Sequence, residues 1–113
     1  MEVRSKVWLE ADGAYLFGDG MADLLKGVDA YGSIRAAAGA LGMSYRQAWG
    51  HIRTIERRSG MKMVETVVGG RAGGGARLTT EGERFLRRYE QFRGEVFEAV
   101  DRMFRKIFSE EEP

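Results

Sequence analysis

The chain has 113 residues, 43% of them hydrophobic, with 18 Lys and Arg against 17 Asp and Glu and a formal net charge of +1. That length suits one domain with an appended helix, and the absence of cysteine excludes a disulfide framework or a thiolate metal site. No apolar run approaches the roughly 20 residues of a membrane span and no signal peptide precedes the first strand-like segment, so a cytoplasmic protein without membrane contact is expected.

Residues 1–18 read as a β-hairpin. Val7 and Leu9 alternate with polar neighbours, Asp12-Gly13 is a two-residue turn signal, and Ala14-Tyr15-Leu16-Phe17 returns as the second strand. Asp19 is placed to cap a helix over residues 21–31, whose Met21, Leu24, Leu25 and Val28 form one apolar stripe. Gly32 ends that helix and Ser33 caps the next.

Residues 33–58 read as two short helices joined at Leu41-Gly42-Met43, the second opening on Ser44. Ile34, Ala37, Ala38 and Leu41 recur at helical spacing in the first, and small alanines let another helix pack closely. In the second, Ala48, Ile52 and Ile55 fall on one side. The opposite side carries Arg46, Gly50, Arg53, Thr54 and Arg57, cations and hydrogen-bonding groups without a bulky apolar residue. Gly50 sits mid-helix, where glycine costs about 1 kcal/mol against alanine. It makes sense where something must approach the helix axis closely, as the floor of a DNA major groove does. This is a helix-turn-helix pattern with the second helix as reader. The charge agrees: residues 44–77 hold seven basic residues against two acidic, net +5, while the remainder holds eleven against fifteen, net −4. A basic middle between acidic ends is the footprint of a nucleic-acid module.

Beyond Gly60, residues 62–67 alternate like a strand, Gly69-Gly70-Arg71-Ala72-Gly73-Gly74-Gly75 form a glycine-rich tip, and residues 76–79 return as a second strand. After a helix-turn-helix, such a hairpin is a wing, whose glycines let the backbone lie against the sugar-phosphate rim while Arg71 reaches a minor groove. The spacing of Gly69 and Gly74 is that of a phosphate-binding loop, but Gly75 and Ala76 stand where its Lys and Ser or Thr belong. Thr80 and Glu83 have capping-box spacing, opening a helix that reaches about residue 108. On it Phe85, Tyr89, Phe92, Val96, Ala99 and Met103 step as a coiled-coil seam, and Leu86, Phe97, Val100, Phe104 and Phe108 form a second row. Together with Ile107 they exceed what one small domain covers, so the helix is expected to dimerise through Phe85, Tyr89, Phe92, Val96, Val100, Met103 and Phe104. The expected organisation is mainly α with small β-hairpins: a winged helix-turn-helix over residues 1–80 and a dimerising helix with an acidic tail over 81–113.

Gly32-Ser33-Ile34, Ala36-Ala37-Ala38, Leu41-Gly42-Met43-Ser44-Tyr45, Ala48-Trp49, Val64-Glu65, Gly69-Gly70, Gly73-Gly74-Gly75-Ala76, Leu78-Thr79 and Gly82 carry a family likeness. The series, spanning about residues 8–89, resembles the N-terminal winged helix-turn-helix domain of ModE-type molybdate-dependent transcriptional regulators and, more distantly, LysR-type DNA-binding domains. The resemblance implies a homodimer, with one reader helix per subunit in the major groove and Ser44 to Gln47 at its leading edge. Family members that sense molybdate carry further C-terminal β-barrel domains that bind the oxyanion. Those have no counterpart in these 113 residues, and no molybdate site or cofactor is expected here.

The expected partner is double-stranded DNA. Arg46, in the first turn of the reader, is a candidate for guanine O6/N7 or for a phosphate. Gln47 is either an adenine reader or an ordinary surface residue. Ser44 is the helix cap and a candidate phosphate contact. Trp49 reads as packing, and Tyr45 offers its hydroxyl to the DNA backbone. Arg53 and Arg57 read as phosphate clamps, and Arg71 and Arg77 as wing cations. His51 projects to the other flank, and neither a zinc site nor a pH switch is expected of it. The alternative is a protein-interaction or assembly module using the same fold. No nucleophile–base pair, convergent carboxylates or metal cluster supports an enzyme.

Overall fold

In the computed structural model, which describes residues 1–68 and 75–109, the apolar stripes of the sequence converge on one core. The elements are β1 (Leu9–Ala11), β2 (Ala14–Phe17), α1 (Asp19–Tyr31), α2 (Ile34–Ala40), α3 (Tyr45–Ser59), β3 (Val64–Val67), β4 (Gly75–Leu78) and α4 (Thr80–Ile107). β1 and β2 pair antiparallel with an irregularity after Leu9, and β3 pairs antiparallel with β4 from Val64 opposite Leu78 to Val67 opposite Gly75. The result is a winged helix-turn-helix, mainly helical, with two small hairpins and a long C-terminal helix. Among the described residues no helix is long and apolar enough to cross a membrane.

Leu24, Leu25 and Val28 of α1 meet Ile34, Ala37 and Ala38 of α2 and Ala48, Ile52 and Ile55 of α3, all buried. Leu41, read with the α2 stripe, is exposed. α1 and α2 approach closely at Gly27, where an added Cβ would lie 2.8 Å from the Ala37 Cβ. Gly32 closes α1 in the left-handed region at φ 71°, and the Ser33 hydroxyl accepts the Ala36 N–H at 2.9 Å to start α2. The β3–β4 hairpin is tied to the corner between α1 and α2 and closed at its own base. The Ala76 N–H donates to Gly32 O at 2.9 Å, and the Thr79 N–H to Met63 O at 2.9 Å. α4 is drawn against this hairpin at Gly82, where a Cβ would stand 2.2 Å from Met63 O.

Three expectations are corrected. Asp19 is the first residue of α1, and the cap position is Gly18, which makes no side-chain cap bond. The Asp19 carboxylate faces α4 instead: the Tyr89 hydroxyl donates to Oδ1 at 2.8 Å, and Arg93 Nε forms an ion pair with it at 2.7 Å. The cap of α4 is Thr79, not Thr80; its Oγ1 accepts the Gly82 N–H at 2.9 Å and donates to Lys62 O at 2.5 Å. Before Leu9 the chain forms no strand with the described residues. Its alternation is nonetheless real, with Val3, Ser5 and Val7 half-buried, because the covering surface is a helix. Shallow hollows are lined jointly by residues 1–5 and by Phe97, Val100, Asp101 and Phe104 of α4.

The dimerisation set is thereby divided. Tyr89 is buried in this chain's own core, and Phe85 packs against that core. Val100 and Phe104 are half-buried beside the N-terminal stretch. Phe92, Met103 and Ile107 remain exposed, Phe92 at 52% and Ile107 at 66%, while Val96, between Phe92 and Met103 in sequence, is half-buried. This distal half of α4 extends the molecule to 66 × 30 × 23 Å. The radius of gyration is 17.6 Å, against about 13 Å for a compact chain of this length.

Candidate nucleic-acid interface

α3 presents its polar face because its apolar residues are anchored underneath, with Ala48, Ile52 and Ile55 buried against α1 and α2. Its entry is fixed by a reciprocal cap. The Ser44 hydroxyl accepts the Gln47 N–H at 3.0 Å, and the Gln47 side-chain oxygen accepts the Ser44 N–H at 2.8 Å. Gln47 therefore works as part of the cap: its oxygen is engaged with the backbone and its NH2 is the group left for an outside partner. A bidentate contact with adenine, which uses both ends of the amide, competes with this bond. At the other end Gly60 closes α3 at φ 74°, and Arg57 and Arg58 lie in the last turn, where cations complement the helix dipole.

The outward face holds Arg46, Gly50, Arg53 and Arg57, all exposed. Among the described residues none of these arginines has a carboxylate partner. Glu56, the one acidic residue of α3, does not neutralise them: its carboxylate accepts the Met63 N–H at 2.8 Å and the Val64 N–H at 3.2 Å, starting β3. A Cβ built at Gly50 meets nothing within 4 Å, so the glycine is not required by the fold of this chain. The Thr54 hydroxyl donates back to Gly50 O at 2.9 Å, so its oxygen is left as an acceptor for an outside partner.

One flank of this face is an aromatic ladder. The Trp49 indole N–H donates to the Tyr45 hydroxyl at 2.6 Å, and the two rings meet edge to face with centroids 6.5 Å apart. The Arg35 guanidinium lies 4.4 Å from the Tyr45 ring centroid, and that of Arg53 lies 5.4 Å from the Trp49 centroid. Arg35 belongs to α2, and sequence reasoning passed over it. Spacing within one helix links Tyr45 to Trp49 and Trp49 to Arg53, but the contact between Arg35 and Tyr45 depends on the turn between helices.

Of the wing cations, Arg77 pairs across the hairpin with Glu65, Nε to Oε1 at 2.8 Å. Arg71 and the glycines at 69, 70, 73 and 74 lie outside the described residues. Arg58 donates to the carbonyl of Tyr15, tying α3 to β2. His51 is exposed on the flank away from the ladder.

Comparison with known proteins gives a consistent picture. Residues 23–83 match the family described as bacterial regulatory helix-turn-helix protein, lysR family. The molybdenum transport protein ModE of Azotobacter vinelandii is 32% identical over 103 residues, 91% of this chain and 38% of that protein. The DNA-binding transcriptional dual regulator ModE of Escherichia coli is 40% identical over 67 residues, 59% of this chain and 26% of that protein. The chain thus spans well under half the length of these relatives. The crystal structure of ArgP from Mycobacterium tuberculosis is similar with a TM-score of 0.54 at 26% identity, over 75% of this chain and 30% of that one.

Proposed function

Because the chain belongs to the lysR family of bacterial regulatory helix-turn-helix proteins, with a helix-turn-helix region of the ModE type, we propose that it is a dimeric, sequence-specific DNA-binding transcriptional regulator. α3 enters the major groove, and the β3–β4 wing with its glycine-rich tip and Arg71 lies at the minor groove or the backbone. α4 pairs with a second copy through the row of Phe92, Val96 and Met103. Residues up to Tyr89 form the reading unit, and the remainder of α4 joins the two copies. What supports this reading is the cationic face of α3: Arg46, Arg53 and Arg57, without carboxylate partners among the described residues, around an unobstructed Gly50, held outward by a buried apolar row and with Glu56 engaged elsewhere.

Selection from a random duplex pool by the purified chain tests it. Enrichment of a two-fold symmetric site is expected, with half-sites about one helical turn or a small multiple apart. Arg46→Ala should cost about 1–3 kcal/mol and relax preference at particular base pairs if it reads a base, or weaken all sequences evenly if it holds a phosphate. Affinity should fall steeply with salt. No enrichment, together with a flat salt response, would reject the proposal and favour a protein-assembly role. In this reading the 113 residues carry no molybdate site, and molybdate or tungstate should leave the melting temperature unchanged.

A further inference from the structure

The aromatic ladder has a consequence beyond packing. Tyr45 and Trp49 stand on the reader helix at its exposed flank, hydrogen-bonded to each other, with one arginine stacked at each end of the pair. An arginine lying on a ring still has its N–H donors in the guanidinium plane, where they can grip an oxyanion. Stacking also removes much of the rotamer freedom that a long side chain would otherwise lose when it binds. Neither Arg35 nor Arg53 has a carboxylate partner among the described residues. Arg35 comes from α2, yet the Tyr45 ring brings its head group to the leading edge of α3.

Resting on the duplex-binding reading above, we propose that Arg35 and Arg53 are a preset pair of phosphate clamps flanking the reader face, and that Tyr45 and Trp49 are the positioning residues that hold them. Arg35 is thereby a DNA-contacting residue on the supporting helix. The ladder recognises backbone and contributes to placing the reader in its groove, without selecting bases.

The test is the salt dependence of binding to a duplex selected by the chain itself, measured with the full chain. Each phosphate contact contributes about 0.9 to the slope of log affinity against log salt. Arg35→Ala should flatten the slope by about that much. Tyr45→Ala should flatten it similarly although every charge is retained, because its cation is no longer held. Tyr45→Phe, which keeps a ring beneath Arg35, should leave the slope near that of the parent. The double variant Arg35→Ala/Tyr45→Ala should lose little more than Arg35→Ala alone. Far-ultraviolet circular dichroism and melting temperature confirm that each variant is folded, and Arg35→Lys, which keeps the charge without the planar fork, should recover only part of the affinity.

A parent that binds with a steep slope while Arg35→Ala leaves that slope unchanged would overturn the clamp and leave the regulator reading intact. A Tyr45→Ala protein that retains the full slope would overturn the positioning role. A parent that binds no duplex at low salt would remove the regulator reading and this inference with it.

Discussion

At Gly50 the needs of the fold and of the proposed function separate. The position is open to solvent and a methyl group there meets nothing within 4 Å. Gly50→Ala should therefore raise stability by up to about 1 kcal/mol through helix propensity, seen as a higher melting temperature. The same methyl should weaken duplex binding, because it stands where the groove floor must come close. A variant that is more stable and binds equally well would show that the helix axis stays farther from the bases. Tyr89 poses the opposite case, a residue whose polar end is committed inside the chain. Burial first, and then its hydrogen bond to Asp19, raise its pKa well above the usual tyrosine value. The folded state thus favours the neutral phenol. Its contribution is fully present below the unfolded pKa near 10 and is lost as pH rises beyond it toward the folded value. Tyr89→Phe should cost about 1.5–3 kcal/mol near neutrality through the lost bond to a charged group. Urea unfolding of the two proteins at rising pH should show that difference shrinking above about pH 10.

Among the elements, α3 was the most legible in the sequence. Its apolar row repeats at helical spacing and Ser44 supplies an oxygen at the cap position, so both its buried and its open faces follow from local order. α4 was legible in length and less so in partner. Adjacent hydroxyls at Thr79 and Thr80 leave the cap ambiguous locally, and the long-range bond from Thr79 to Lys62 O is part of what distinguishes them. The alternation of Val3, Ser5 and Val7 shows that one side is covered but says nothing of whether a strand or a helix covers it. Glu56 was counted only as a charge, because its two backbone partners at Met63 and Val64 are set by where β3 lies. Glu56→Ala should destabilise the chain by about 1–3 kcal/mol, since it leaves two amide groups without an acceptor. In chemical denaturation that loss should appear without any flattening of the salt slope for DNA, as the variant is more cationic than its parent.

For the molecule as a whole, the distal half of α4 projects beyond a compact core, and its two apolar rows have different surroundings. The row of Phe97, Val100 and Phe104 lies beside the N-terminal stretch, while Phe92, Met103 and Ile107 are uncovered. If the chain pairs as proposed, Phe92→Glu and Met103→Glu should shift sedimentation from dimer toward monomer with little change in the helical spectrum. They should abolish the affinity advantage of a two-half-site duplex over a single half-site. Unchanged sedimentation would require the second copy to associate elsewhere. The hydrogen bond from Ala76 to Gly32 links β4, near the tip side of the wing, to the corner between α1 and α2. Deuterium uptake at that one amide is consequently a gauge of whether the hairpin and the helices loosen together. Tightened protection there upon addition of duplex would report that the blade and the corner beneath it have been clasped as one piece.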